Sequence, residues 1–241
     1  MRNNASPFWR FANMEASAKD KPTLFIEGYI YPESPWWMED GTLCAPDSFR
    51  RQLADLDGED IDIWVNSRGG DAAAGAAIFT YLRDRKGTNT FKVPALAASA
   101  ATLPLMAPGK VYVGPASLIM IHNPLVSVTG DHVELSRAQD YLAKLKDAVI
   151  AAYMEKSGKP RDEVSAEMDK ESWYTAQQAI DAKYADEIMP LHQDGVAAEM
   201  CYTRSSIMQA TMDATGMMLN ARLVGSEREA RQAIFRYLET Y

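Results

Sequence analysis

"DIDIWVNSRGGDAAAGAAIFTYLRDRKG", residues 60–87, changes its hydrophobic period once, and the change falls on two consecutive glycines. Ile61, Ile63 and Val65 alternate with more polar neighbours, the period-two pattern of a strand with one buried face. Beyond Asp71 the pattern turns helical, and Gly87 is the residue expected to close that helix. A strand that passes through glycines into a helix is the repeating unit of an α/β fold. Those glycines permit positive φ and leave backbone N–H groups exposed, which suits a developing oxyanion. The same shape could cradle a phosphate, but the chain carries neither GK[ST] nor GxGxxG.

The flanking sequence repeats the alternation. "TLFIEGYIY" (23–31) reads as a strand, and "APDSFRRQLADL" (45–56) as a helix with Pro46 in its first turn and Phe49, Leu53 and Leu56 at helical spacing. Downstream, "TFKVPALAAS" (90–99) is strand-like, "SAATLPLMAPG" (99–109) helix-like, and "KVYVGPASLIMIHNP" (110–124) strand-like in two pieces. A long helix follows over 133–157, with Ala138, Leu142, Leu145, Val149 and Tyr153 near one stripe and Gly158 ending it. The order predicts an α/β domain with a largely parallel sheet over residues 23–190. Residues 1–22 read as a polar, aperiodic arm, and the Met-rich 191–241 as a helical appendage in which Ser226 and Glu229 form a capping box. Trp36 and Trp37, in a turn-rich stretch, either cover the core or contact a neighbour.

The 241 residues are 47% apolar and 24% charged, enough for a full core. A net charge of −8 argues against a nucleic-acid backbone or an anionic membrane as partner. Cys44 and Cys201 fit no metal or redox spacing, which predicts a reduced, cytoplasmic protein, and no ligand cluster or nucleotide loop indicates a cofactor. Neither a signal-peptide core nor an 18-residue apolar span occurs, so export and membrane insertion are not expected.

Ser99 is the one hydroxyl in "LAASAA" (96–101), at the junction of a predicted strand and a predicted helix. A serine there caps a helix, or stands as a nucleophile beside the free N–H groups of a helix start. Ala97, Ala98, Ala100 and Ala101 are small enough to let a substrate backbone approach. His122 ends the apolar run "LIMI" at the rim of the sheet, where a neutral imidazole can act as a general base. His132 and His192 lie in polar stretches and read as solvated. Asp169 and Glu171, just before an aromatic and the Thr175/Gln178 capping box, are the carboxylates able to hold the imidazole tautomer.

"WVNSRGGD", "LAASAATLPLMA", "LIMIHNP" and "ESWYTAQQAIDAKYADEI" occur in that order over residues 23–190, and together they resemble the Clp-type serine peptidases, most closely those of bacteriophage genomes. The resemblance implies a Clp/crotonase-like fold of stacked ββα units with a protruding handle helix, here 133–157. It also implies Ser99 as nucleophile, His122 as general base, and the N–H groups of Gly70, Asp71 and Ala100 as oxyanion donors. Aligned on Trp173, Glu171 stands at the family's acid position, with Asp169 in reserve because its shorter side chain matches the usual acid. Implied partners are a protein or peptide substrate and other copies of the chain in a ring, heptameric or stacked.

Arg68 and Asp71 stand where housekeeping members carry proline and an aliphatic residue, and no methionine follows Ser99. These departures weaken the case for docking a Clp ATPase, and favour a phage-type enzyme that trims capsid or scaffold proteins during head maturation. Two alternatives follow from the same residues: a crotonase-like acyl-CoA enzyme, which needs no Ser–His pair, and a non-catalytic ring protein whose acid is misplaced.

Overall fold

The computed structural model describes residues 8–14, 21–30 and 45–190. Trp36, Trp37, Cys44, His192, Cys201 and the expected appendage 191–241 with its Ser226/Glu229 box lie outside the described residues. The chain forms β1 (Trp9–Ala12), β2 (Thr23–Ile30), α1 (Ala45–Ala54), β3 (Ile61–Gly70), α2 (Ala72–Asp84), β4 (Asn89–Val93) and β5 (Leu96–Ala98). Two 3-10 turns follow, then β6 (Lys110–Val113), β7 (Leu118–Ile121), α3 (His132–Ser157), α4 (Arg161–Asp169), β8 (Ser172–Thr175), α5 (Ala176–Asp181) and β9 (Glu187–Ile188).

β3 is the hub of the sheet. Along one side it pairs in parallel with β2, Leu24 opposite Ile63 and Ile26 opposite Val65. Along the other it divides its length: Ile61 to Trp64 pair with β4, and Ser67 pairs with Ala97 of β5. Pro94 lies between β4 and β5 and brings no N–H, so the ladder breaks there and the chain changes direction. The sheet therefore forks, with β4, β6 and β9 in one arm and β5, β7 and β8 in the other. All pairings are parallel except β1 on β2 and β8 on β7. This curled, largely parallel α/β arrangement is the expected fold class. Ile61, Ile63, Val65 and the apolar face of α2, including Ile78 and Leu82, meet in the core.

Three local expectations are corrected. Residues 8–12 are not part of an aperiodic arm: β1 pairs antiparallel with β2, and Phe8 and Trp9 are buried, Trp9 edge-on to both Phe11 and Phe49. A four-residue strand is too short to show a period. Gly87 does not close α2, which ends at Asp84 with Arg85 already extended. Gly87 instead makes the next turn at φ +84°, where a Cβ would lie 2.2 Å from the Glu59 carbonyl oxygen. Residues 99–109 form no α-helix but two buried 3-10 turns, Ser99–Thr102 and Pro104–Met106. Pro104 cannot donate the bond that would continue an α-turn, so the segment tightens to three-residue closures such as Leu103 N–H to Ala100 O at 3.3 Å.

The long helix forms as its stripe predicts. Asp131 and Glu134 make a capping box at its start, and Gly158, at φ +67°, ends it. Burial rises along the stripe, from half-buried Ala138, Leu142 and Leu145 to buried Val149 and Tyr153, so α3 roots in the body at its C-terminal end. Its N-terminal half and the irregular segment before it expose Leu125, Val126, Val128, Val133, Leu135 and Tyr141, Leu125 to 73%. No helix among the described residues is long and apolar enough to cross a membrane.

Candidate active site

Ser99 leaves β5 in the left-handed region, φ +55°, which a residue with a Cβ adopts only when its surroundings enforce it. The surroundings are glycines. A Cβ on Gly69 would stand 2.5 Å from Ala98 O, 2.8 Å from Ser99 Cβ and 2.9 Å from Ala100 N, and one on Gly75 would stand 2.7 Å from Ala100 O. The Ser99 turn is thus wedged between the end of β3 and the first turns of α2. Ala97, Ala98, Ala100 and Ala101 are buried in that wedge, so their small size serves internal packing rather than an open approach for substrate.

β7 lies beside β5 in parallel register, Ala98 opposite Met120, and the residues that follow each strand come side by side. That register sets the half-buried His122 ring against Ser99, with Nε2 2.7 Å from Oγ. Burial holds the imidazole below its ordinary pKa, and the Glu171 carboxylate opposes this only in part. A neutral ring accepts the serine proton at Nε2, the state a general base requires at neutral pH.

The two carboxylates are used differently. Asp169 accepts from Lys146 Nζ at 2.6 Å and from Asn123 Nδ2 at 2.8 Å, and these bonds hold it below the usual carboxylate range. It ties α3 to the segment after His122 and makes no bond to the ring. Glu171 sits in the turn before β8 at φ +50°, and its Oε1 accepts from Trp173 Nε1 at 3.2 Å. Its charge acts on His122, yet among the described residues the only hydrogen bond of the imidazole is to Ser99.

The expected oxyanion donors also separate. Asp71 N–H donates to Ile30 O at 2.9 Å, which corrects its expected role, and its carboxylate caps α2 by accepting from Ala74 N at 2.7 Å. Gly70 adopts φ +147°, and a Cβ there would be 2.1 Å from Ile30 O. Ala100 is the second residue of a 3-10 turn, so its N–H has no intrahelical acceptor. Ser67, absent from the sequence reading, anchors the glycines: its hydroxyl donates to Gly28 O at 2.5 Å and accepts from Gly69 N at 2.9 Å. A lone serine in a strand carries no sequence signal for such a role. His132 begins α3 in solvent. Beside the Ser99–His122 pair a small, partly open pocket is lined by Ala72, Leu103, Pro124, Val149 and Tyr153.

A serine hydroxyl against a neutral imidazole at the strand ends of a curled α/β sheet, with a small apolar cavity alongside, is the architecture of a serine-type hydrolase. Residues 49–192 match the Clp protease family. Over 136 residues the chain is 32% identical to the ATP-dependent Clp protease proteolytic subunit 1 of Chlamydia caviae, spanning 55% of this chain and 71% of that protein. It is 30% identical over 142 residues to the subunit 1 of Mycobacterium tuberculosis, 58% and 71% of the two chains. To the proteolytic subunit 2 of Rhodococcus jostii it is 31% identical over 133 residues, 54% and 68%. The chain belongs to the Clp protease family and is a serine-type peptidase.

Proposed function

We propose that the protein is a serine endopeptidase in which Ser99 is the nucleophile, His122 the general base, Glu171 the carboxylate, and the N–H groups of Gly70 and Ala100 the oxyanion donors. The observation that carries the reading is the 2.7 Å contact between Ser99 Oγ and His122 Nε2. Oγ attacks the peptide carbonyl carbon while its proton passes to Nε2. The two amides hold the resulting oxyanion, and the imidazolium returns the proton to the leaving amine. Water then repeats the sequence on the acyl-enzyme. A fluorophosphonate probe followed by peptide mapping tests the assignment. An adduct on Ser99 that is lost in His122→Ala supports it. An unreactive Ser99 favours the non-catalytic ring, the reading that draws on the lack, among the described residues, of a carboxylate bonded to His122.

Glu171 is favoured over Asp169 because its charge acts on the ring, whereas Asp169 is held by Lys146 and Asn123. Glu171→Gln is expected to lower kcat/KM by about 10- to 1,000-fold, less than the ~10⁴-fold loss when a bonded triad aspartate is removed. Asp169→Asn is expected to lower kcat/KM less than about tenfold and to act mainly on thermal stability. The reverse ranking, read on one peptide substrate, assigns the acid to Asp169.

The pH profile follows from the ring's environment. Only the neutral imidazole accepts a proton, so kcat/KM rises with pH through the His122 pKa, and burial sets that midpoint below about 6.5. Glu171→Gln removes the attraction that favours the imidazolium, so the midpoint moves lower still. A midpoint above 7 in the wild-type protein contradicts the assignment.

The biological setting we infer is a homo-oligomeric ring of the phage type that trims capsid or scaffold proteins without an ATPase. Support comes from Arg68 and Asp71 beside the glycines and Ala100 after the nucleophile, where housekeeping members differ. Digestion of an unfolded protein such as casein is expected without ATP or an unfoldase. Strict dependence on an added Clp ATPase overturns this setting and leaves the Ser99 chemistry untouched.

A further inference from the structure

We propose that Thr102 and Tyr153 are positioning residues that aim the Ala100 N–H at the reacting carbonyl by anchoring the Ser99 carbonyl from behind. The inference rests on Ser99 being the nucleophile. Thr102 Oγ1 donates to Ser99 O at 2.6 Å, and the Tyr153 hydroxyl lies 2.6 Å from the same Oγ1. With the threonine proton directed to the carbonyl, the phenol is the donor in the second bond. Burial raises the Tyr153 pKa far above neutrality and keeps that proton in place.

Ser99 C=O and Ala100 N–H belong to one planar trans peptide, so they point in opposite directions. Drawing the carbonyl inward onto Thr102 turns the N–H outward, toward the cavity that Ser99, His122 and Tyr153 line. Thr102 and Tyr153 are both buried, so water cannot replace either hydroxyl. Tyr153 belongs to the rooted end of α3, and the two bonds therefore run from the long helix to the peptide plane that carries the proposed oxyanion donor.

An oxyanion donor acts on the transition state more than on the bound ground state, so loss of its aim lowers the rate constant of acylation and spares affinity. Saturation kinetics of fluorophosphonate labelling separate the two on the full-length protein. Thr102→Val is expected to lower the maximal labelling rate about 10- to 100-fold with the half-saturating concentration within about threefold. Thr102→Ser, which keeps the hydroxyl, is expected within about threefold of wild type. Tyr153→Phe should show a smaller loss, and the Thr102→Val/Tyr153→Phe double variant should be no slower than Thr102→Val, because the phenol acts through the threonine. A Thr102→Val protein that melts earlier yet labels at the wild-type rate overturns the proposal. So does a Thr102→Ser protein as slow as Thr102→Val. Wild-type protein that forms no Ser99 adduct overturns the nucleophile assignment and this inference together, whereas labelled wild type with unaffected variants overturns this inference alone.

Discussion

Ser99→Ala is expected to reduce turnover by about 10⁴- to 10⁶-fold and to eliminate fluorophosphonate labelling, while the folded protein survives. The chemical loss is complete because no other hydroxyl is hydrogen-bonded to His122 among the described residues. Stability is spared for two reasons. Among the described residues the serine hydroxyl bonds only the half-buried imidazole, and the backbone anchors of the turn, from Thr102 and the Gly69 contact, remain. Alanine at φ +55° carries about the same left-handed cost as the serine it replaces, roughly 1–2 kcal/mol. A melting temperature within a few degrees of wild type, together with absent turnover, is the expected pair of results. Residual turnover comparable to wild type would transfer the chemistry elsewhere.

Gly69→Ala is expected to have the opposite profile, with loss of both activity and stability. Its φ of +99° is one that alanine rarely adopts, and the added methyl would lie within 3 Å of three atoms of the 98–100 segment. Two of those atoms are backbone and cannot rotate away, so either β3 or the Ser99 turn must shift. Destabilisation of about 3 kcal/mol or more is expected, at the upper end for a single substitution. Turnover should fall in the protein that still folds, because any shift that relieves the clash moves Ser99 away from His122. Chemical denaturation and probe labelling of the same preparation measure the two effects. Wild-type stability in this variant would mean that the glycine turn is looser than the contacts describe.

Much of this was legible from sequence because the decisive signals were local. The alternation of Ile61, Ile63 and Val65 and the stripe on the long helix each reflect side-chain burial on one element, and each formed as read. Ser99 and His122 could be singled out because each is a polar residue ending an apolar run. That they meet depends on the pairing of β5 with β7, a long-range fact no local pattern contains. The remainder depended on who accepts which proton. Asp71 reads like an oxyanion donor until its N–H is seen to face Ile30, and the Lys146 and Asn123 bonds of Asp169 join residues far apart in the chain that no local pattern connects. Thr102, three residues beyond the serine, reads as an ordinary buried threonine until the 3-10 turn folds its hydroxyl back on Ser99.

The division of β3 between two arms means that the parts of the site have different mechanical owners. Ser99 and His122 ride on β5 and β7 of one arm, whereas Gly69 and Gly70 close the shared strand itself. A strain that parts the arm from β3 at the Ser67–Ala97 pairing carries the serine and histidine away as a couple and leaves the glycine amides behind. Amide hydrogen exchange along β5 would then rise while the β2–β3 ladder keeps its protection, and a fall in catalytic output under such strain would precede any change in the bond between the two side chains.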